Sequence, residues 1–207
     1  MTTIGITGII GSGKTTVSAI LKKKGLPVID LDELAKATLS LKEVHEEITE
    51  KIGKEFVVNG EVAVERLRDT VFADKRKLAD LEGIVHPRVK ERLWWVIGEL
   101  KEKGEKAVII DGPLLFETGL YKKLDKIVVV AAGDAQIRAR LIKRGMFPED
   151  IEKRISHQIP LSVKEKSADL ILHNNGNRED LEREVANLME RIKEWEVKPD
   201  APQRIKK

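Results

Sequence analysis

The stretch TIGITGIIGSGKT, residues 3–15, decides the fold of this chain. Its apolar first part, residues 3–7, is typical of a buried strand, and residues 8–15 fit the pattern G-x-x-x-x-G-K-[ST]. A strand that turns through glycines into a helix points several backbone N–H groups at one place, where the helix N-terminus adds partial positive charge. Glycine is needed because a Cβ would block close approach of the backbone or forbid a positive φ. The pattern therefore predicts a loop that binds nucleotide phosphates.

Two side chains at the end of this loop have predicted roles. Lys14 reaches the β- and γ-phosphates, and the hydroxyl of Thr15 ligates the Mg²⁺ that accompanies ATP. The plainer alternative is an ordinary corner between a strand and a helix. The complete pattern arises by chance in about one per cent of chains of this length, and the helical residues 17–21 follow it directly. The phosphate loop is the favoured interpretation.

The composition excludes several classes of protein. The 207 residues contain no cysteine, which excludes disulfides, thiolate catalysis and cysteine-ligated zinc. Apolar residues make up 41%, and no window approaches the roughly twenty consecutive apolar residues of a transmembrane helix. Because the chain enters a strand at once, we expect no signal peptide and a cytoplasmic protein. The net charge of +3 does not call for nucleic acid, and we expect residues 198–207 to form a solvated tail.

Five continuous apolar runs alternate with helical stretches. They lie at residues 3–7, 27–29, 106–110, 126–131 and 169–172. Runs without polar alternation are typical of strands that are buried on both faces of a parallel sheet. The spacing leaves room for crossover helices, so the sequence predicts an α/β fold with a doubly wound, five-stranded parallel sheet.

The gap between the second and third runs is too long for a single crossover. It holds predicted helices at 33–39, 42–52, 64–72, 77–84 and 88–103, with a turn signal at Asn59-Gly60. We interpret the gap as a mostly helical insertion that faces the phosphate loop. The predicted organisation is a nucleotide-binding core of residues 1–39 and 106–207, with a helical lid at about 134–167, and an insertion of residues 40–105.

In an open α/β sheet, ligands are expected at the carboxyl ends of the strands. There, Asp32 is either the base that takes a hydroxyl proton or the N-cap of the next helix. Asp111 is either a ligand of Mg²⁺ through water or a turn residue. Arg140 and Arg144 share a helix face that is either solvated or part of a lid acting on the transferring phosphoryl group. His86 is either a structural residue before a proline that opens a helix, or a substrate contact.

Taken together, these motifs resemble those of the dephospho-coenzyme A kinase family, from Ile4 to about Leu188. Residues 7–16, TGIIGSGKTT, are similar to the family's T-G-G-I-G-S-G-K-[ST]-T. Residues 28–32, VIDLD, are similar to its V-I-D-A-D. The most discriminating match is the PLLFE segment at residues 113–117.

The resemblance implies a fold and an activity. The implied fold is a P-loop core with a helical acceptor-binding insertion and a helical lid. The implied reaction transfers the γ-phosphoryl group of ATP to the ribose 3′-hydroxyl of dephospho-CoA, with Mg²⁺ bound to ATP. ATP and dephospho-CoA are the implied partners, and we expect no nucleic acid, no membrane and no obligatory protein partner.

The resemblance also implies roles for individual residues. The implied catalytic residues are Asp32 as the base, Lys14 and Arg140. The implied ATP-binding residues are Gly11, Ser12, Gly13, Lys14, Thr15, Thr16, Arg144 and Asn175, with Asn175 near the adenine. The implied acceptor-binding residues are His86, Pro113, Leu114, Leu115, Phe116 and Glu117. The implied metal ligands are Thr15 and, through water, Asp111.

The sequence departs from the family pattern at Ile9, where glycine is usual, at Gly112 in place of valine, and at His173 in place of aspartate. Three other functions compete with the implied one. They are another small-molecule kinase of the same fold, a nucleotide-dependent switch, and a nucleic-acid-binding ATPase. The PLLFE segment argues against the first, the pairing of Asp32 with a lid arginine against the second, and the lack of an extended basic stripe against the third.

Overall fold

The computed structural model describes residues 1–197. Its strands are β1 (Thr2–Thr7), β2 (Val28–Asp30), β3 (Val57–Val58), β4 (Glu61–Val62), β5 (Ala107–Asp111), β6 (Lys126–Ala131) and β7 (Leu170–His173). Its α-helices are α1 (Lys14–Lys23), α2 (Leu31–Thr38), α3 (Lys42–Lys51), α4 (Val64–Ala73), α5 (Lys75–Glu102), α6 (Asp134–Lys143), α7 (Pro148–Ser156), α8 (Leu161–Glu165) and α9 (Arg178–Val197). Short 3₁₀ turns lie at Lys54–Phe56 and Leu120–Lys123. The solvated tail predicted at residues 198–207 lies outside the described residues.

Five strands form the parallel sheet that the apolar runs predict, in the order β2-β5-β1-β6-β7. The central strand β1 pairs in register with β5 on one side and with β6 on the other. Every residue of β1 and β5 is buried, which explains why these strands read as unbroken apolar or small-residue runs. The five-stranded doubly wound sheet is confirmed.

The chain divides into two compact units. The first comprises Met1–Ile29 and the chain from Leu100 onward, and the second comprises Asp30–Glu99. The predicted insertion, 40–105, begins ten residues later and ends six residues later than the second unit. The difference at the start arises because α2, predicted as part of the core, belongs to the second unit.

One hydrophobic cluster of the first unit lies between the sheet and the helices α1 and α9. It joins Ile4 and Ile6 of β1 to Val17 of α1 and Val185 of α9, all of them fully buried. Burying an aliphatic side chain of this size contributes roughly 1.5–3 kcal/mol before entropy is subtracted. The strand β1, whose carboxyl end begins the phosphate loop, is therefore anchored in this cluster.

The second unit has its own hydrophobic cluster. Its buried members are Val44, Ile48, Ile52, Phe56, Leu67, Val71 and Ile84. The hairpin β3–β4 turns at Asn59 and Gly60, whose φ values of 53° and 79° are both positive. A two-residue hairpin loop with two positive φ angles requires residues such as Asn-Gly, so the predicted turn is confirmed.

Helix α5 differs from the sequence prediction. The predicted helices 77–84 and 88–103 are one continuous helix, with Pro87 inside it rather than at its first turn. The prediction of a break was wrong because it rested on the preference of proline for the first turn of a helix. Ile84 and Val85 before the proline and Leu93 after it are all buried, and this packing outweighs the local cost. His86 consequently lies in mid-helix and caps nothing.

Within residues 1–197, no helix combines the length and the apolar character needed to cross a bilayer.

Candidate active site

The phosphate loop joins β1 to α1 in the predicted geometry. Gly11 and Gly13 have φ values of 81° and 100°, in the left-handed region that a side chain disfavours. A Cβ on Gly8 would lie 2.5 Å from the backbone oxygen of Val130, so this glycine is required by close approach. Gly13 is the N-cap of α1 and offers no side-chain cap. The N-terminal N–H groups of α1 are thus open to an anion.

Lys14 is ion-paired with Asp111 at the mouth of the loop. The ammonium of Lys14 donates to Oδ1 of Asp111 in a short contact. The side chain of Asp111 is 3% exposed and that of Lys14 is 15% exposed. Asp111 ends β5, and its backbone is opposite Ile6 of β1, which brings its carboxylate to the edge where the loop begins. A nearly buried carboxylate is tolerated because this cation compensates it.

Arg140 lies against the phosphate loop rather than on a solvated helix face. Its Nη2 donates to the backbone oxygen of Asn174 at 2.8 Å and to its Oδ1 at 3.3 Å. Its Nη1 lies 3.4 Å from the carbonyl oxygen of Ser12 and 3.5 Å from that of Gly11. For Arg140, the alternative of a solvated face was therefore wrong. Arg144 is exposed at the C-cap of α6.

Asn174 is a site residue that the sequence analysis missed. It is 6% exposed, and its Nδ2 donates to the carbonyl oxygen of Ser12 at 2.7 Å. The backbone N–H of Asn174 donates to the carbonyl oxygen of Ala131 at 2.7 Å, which holds Asn174 at the carboxyl ends of β6 and β7. The available signal was its position directly after the last strand. Its neighbour Asn175 is exposed and accepts from the N–H of Gly133 at 2.8 Å.

The predicted lid helices pack on the loop through Ile9. This residue, at the position where the family usually has glycine, is 7% exposed. It lies in a cluster with Ile137 and Leu141 of α6 and Ile151 of α7. The departure at Ile9 therefore has a structural role: it supplies an apolar contact between the loop and α6 and α7.

The segment after β5 is split between buried and exposed side chains. Leu115 and Phe116 are 0% and 7% exposed, and Phe116 stacks on Tyr121 with ring centroids 4.2 Å apart. Leu114, in contrast, is 44% exposed. Of the predicted acceptor-binding residues in this segment, Leu114 presents the largest free apolar surface.

A second missed residue, Lys164, contacts the same segment. Its side chain is fully buried, and its ammonium lies 3.0 Å from Oε1 of Glu117 and donates to the carbonyl of Pro113 at 3.0 Å. Oε1 of Glu117 also accepts from the N–H of Ile159 at 2.9 Å. The sequence offers no signal that Lys164 is buried, because a lysine on a short helix is ordinarily exposed.

Asp32 and His86 belong to the second unit. The N-cap of α2 is Asp30, whose Oδ1 accepts from the N–H groups of Asp32 at 2.8 Å and Glu33 at 3.2 Å. The alternative of Asp32 as N-cap was therefore wrong. Asp32 is exposed in the first turn of α2. The pKa of Lys36 is raised, mainly by its hydrogen bond and charge interaction with Glu33, with smaller contributions from Asp30 and Asp32.

Comparison with known proteins decides among the competing functions. A family model described as dephospho-CoA kinase matches residues 2–180. A dephospho-CoA kinase of Geobacillus kaustophilus is 39% identical over 198 residues, covering 94% of this chain and 97% of the relative. The chain belongs to the dephospho-CoA kinase family. Its predicted class, an ATP-dependent kinase, is confirmed, and the switch and the nucleic-acid-binding ATPase are set aside.

Solved structures agree with this dephospho-CoA kinase assignment at the level of the fold. The crystal structure of TT1252 from Thermus thermophilus is 38% identical and superimposes with a TM-score of 0.80, covering 92% of this chain and 97% of the other. The dephospho-CoA kinase from Campylobacter jejuni is 23% identical with a TM-score of 0.72, covering 93% and 97%. The predicted P-loop kinase fold is therefore confirmed.

Proposed function

We propose that the residues around the phosphate loop carry out the dephospho-CoA kinase reaction of this chain, moving the γ-phosphoryl group of ATP to the ribose 3′-hydroxyl of dephospho-CoA. The observation that best supports this proposal is the ion pair of Lys14 with Asp111 beside the uncapped N-terminus of α1. Phosphoryl transfer needs positioning and charge neutralisation more than covalent chemistry. A fixed ammonium at the mouth of a phosphate loop supplies both.

The ATP phosphates bind along residues 11–16. The backbone N–H groups of the loop and of the first turn of α1 donate to the phosphate oxygens, and the exposed hydroxyl of Thr15 lies at the same end of the helix. Asp111 keeps Lys14 at the loop instead of letting its long side chain sample solvent. This pre-organisation lowers the cost of placing the ammonium on the β- and γ-phosphates.

The hydroxyl of Thr15 and the carboxylate of Asp111 fit Mg²⁺, because hard oxygen ligands are the kind that this ion prefers. Residues 1–197 include no group of three or more His, Cys, Asp or Glu side chains that could hold a metal. The two residues would therefore hold an ion that also binds the phosphates of ATP. When bound, Mg²⁺ supplies neutralisation of charge on the β- and γ-oxygens.

Arg140 is proposed to stabilise charge on the transferring group. Its guanidinium contacts the carbonyls of Gly11 and Ser12, so it is already at the phosphate loop. Arg140→Ala is expected to lower turnover far more than ATP affinity. Equal losses in both would assign Arg140 to ground-state binding. Arg144 and Asn175 are proposed to contact ATP, with Asn175, which lines a cleft of about 510 Å³, near the adenine.

Asp32 is proposed as the base for the acceptor hydroxyl. Since Asp30 performs the capping of α2, the carboxylate of Asp32 is not needed for that purpose. Its side chain is exposed in the first turn of α2, as a base that must contact a bound hydroxyl requires.

A matched pair of variants tests the base. Asp32→Asn is expected to lower kcat by roughly 10²–10⁴-fold while ATP binding is kept. Asp30→Asn is the control, because it removes the same charge two residues away and asparagine caps helices as well as aspartate does. Near-normal turnover in Asp32→Asn would remove the assignment.

The acceptor is proposed to contact the segment 113–117, with Leu114 as its main apolar surface, and His86 in the second unit. Leu114→Ala is expected to raise the KM for dephospho-CoA. The overall activity is tested by mixing the protein with ATP, Mg²⁺ and dephospho-CoA and detecting CoA and ADP by mass spectrometry. Phosphorylation of a plain nucleoside instead would contradict it. A cytoplasmic location stays a prediction from the sequence.

A further inference from the structure

The fully buried ammonium of Lys164 is the feature that the proposed reaction leaves unused. It lies 3.0 Å from Oε1 of Glu117, donates to the carbonyl of Pro113 at 3.0 Å, and sits 5.9 Å from the ring centroid of Phe116. One cation thus contacts both ends and an interior residue of the segment 113–117. Removing an ammonium from water is costly, and Oε1 of Glu117 and the carbonyl of Pro113 compensate the charge of Lys164, which links the two ends of the segment through one cation.

The segment is also tied to the phosphate loop. The carbonyl of Pro113 accepts from the hydroxyl of Thr7 at 3.2 Å, at the end of β1. Asp111, two positions before Pro113, forms the ion pair with Lys14. A shift of Pro113 would therefore disturb Thr7 at the end of β1 and Asp111, the partner of Lys14.

The chain between α7 and α8 reinforces the same arrangement. Ile159 donates its N–H to Oε1 of Glu117 at 2.9 Å. The preceding residue, Gln158, accepts from the N–H of Ile10 in the phosphate loop at 2.9 Å. Residues 158–164 therefore brace the phosphate loop and the segment 113–117 against each other, with Lys164 as the charged end of the brace.

We propose that Lys164 is a positioning residue for the acceptor substrate. It fixes the backbone of residues 113–117 so that the exposed side chain of Leu114 is held in the orientation that contacts dephospho-CoA. The proposal rests on the acceptor role proposed above for this segment. Lys164 touches neither substrate, since its side chain has no exposed surface. Its removal therefore acts on the KM for dephospho-CoA rather than on the chemical step.

The informative variant removes both charges. Lys164→Met alone leaves the Glu117 carboxylate without its cation, so an unstable protein is expected. In Lys164→Met/Glu117→Gln the charge is balanced, and the amide oxygen at 117 still accepts from Ile159. The KM for dephospho-CoA is expected to rise about tenfold, the size of one lost hydrogen bond to a charged group, with kcat and the KM for ATP changed less than about twofold.

Two further variants separate this proposal from its alternatives. Val185→Ala loosens the core of the first unit on α9, away from residues 113–117, and is expected to lower thermal stability without changing either KM. Leu114→Ala tests the acceptor role of the segment directly. A purely structural role for Lys164 predicts that the double variant and Val185→Ala behave alike.

A raised KM for dephospho-CoA in both Leu114→Ala and the double variant, with a KM close to that of the parent in Glu117→Gln alone, supports the proposal, because Lys164 still donates to the carbonyl of Pro113 in that single variant. An equal rise in Glu117→Gln alone overturns it, because Glu117 itself would then contact the acceptor. A raised KM in Leu114→Ala with a normal one in the double variant overturns the role of Lys164 and leaves the acceptor role of the segment intact. Normal values in both overturn the acceptor role itself, and the proposal falls with it. An equal rise in the KM for ATP also overturns it, because the effect would not be specific to the acceptor.

Discussion

Two lysine–carboxylate pairs flank the segment after β5, and they differ in how firmly the ammonium is held. Lys14 is partly exposed at the phosphate loop and is paired with Asp111. Lys164 has no exposed surface, and it contacts Glu117, a backbone carbonyl and an aromatic ring. An ammonium at the surface of a phosphate loop can exchange its partner for a phosphate, whereas one enclosed by three groups cannot move without unfolding its surroundings.

We interpret the difference as two purposes for the same chemical pair. The pair at Lys14 is proposed to act on a ligand, and the pair at Lys164 is proposed to hold protein backbone. Variants of the first should therefore change turnover, and variants of the second should change stability and acceptor binding.

The largest effect is expected from Lys164→Met. Leaving the Glu117 carboxylate, which is 18% exposed and whose Oε2 is buried, without its cation should lower the free energy of unfolding by about 3–5 kcal/mol, measured by urea denaturation. The double variant Lys164→Met/Glu117→Gln should recover most of this loss, because no unpaired charge remains. If the single variant is as stable as the parent, the pair does not hold the fold as described.

The next effect is on turnover. Lys14→Met should lower kcat by roughly 10²–10³-fold, because a pre-organised donor at the transferring phosphoryl group is lost. Lys23→Met is the matched control, since it removes the same charge from the exposed end of the same helix. If kcat falls by a similar factor in Lys164→Met/Glu117→Gln, the two pairs do not differ in function as proposed.

The third effect concerns stabilisation by ATP. At an ATP concentration of 100 times Kd, binding to the folded state should add about 2.7 kcal/mol to the free energy of unfolding. The parent and the Lys164→Met/Glu117→Gln variant should both gain this, while Lys14→Met should gain much less at the same concentration. Denaturation curves with and without ATP measure the gain, and equal gains in all three proteins would contradict the role of Lys14.

The smallest effect is expected from a surface pair, which serves as a baseline. In the second unit, the hydrogen bond from Arg88, with a further one from Lys51, holds the pKa of Glu47 below its ordinary value of 4.5. A lowered pKa contributes stability that is present above the ordinary value and is lost as pH falls through the folded-state value. Glu47→Gln should therefore lower the Tm slightly at neutral pH.

The pH dependence of that variant is the test. The difference in Tm between the parent and Glu47→Gln should shrink as the pH is lowered from neutral through the folded-state pKa of Glu47, below which the carboxyl is protonated in both states. Glu46→Gln is the control, because Glu46 is well exposed and 4.0 Å from Lys42. A difference that grows on acidification would contradict the assigned direction of the shift.

Much of the first unit could be predicted because its signals are local. The strands of the large sheet begin and end within one residue of the apolar runs, since a strand buried on both faces has little room for polar side chains. The phosphate loop could be predicted because its glycines encode backbone angles that other residues disfavour. Helix α5 could not, because buried residues on both sides of Pro87 outweighed a local rule.

The site was predicted in its charged residues but not in its connections. Lys14 and Asp111 stand in local patterns, and the structure brings them together. Asn174 and Lys164 escaped prediction because their importance lies in what they contact. Asp30 was also missed as the cap of α2, because two aspartates lie close together and sequence alone does not say which one turns toward the helix N–H groups.

By itself, the sequence determined the phosphate loop, the parallel sheet and the resemblance to dephospho-CoA kinases, because each is written in residues that are neighbours along the chain. Only the tertiary structure decided which lysine stays at the phosphate loop and which is enclosed. Lys14 and Asp111 are 97 positions apart, and Lys164 and Pro113 are 51 apart. Contacts between residues so far apart in the sequence depend on how the elements pack. That packing leaves Lys14 partly exposed, where we propose that its ammonium binds phosphate, and it buries Lys164, whose ammonium we propose holds the backbone.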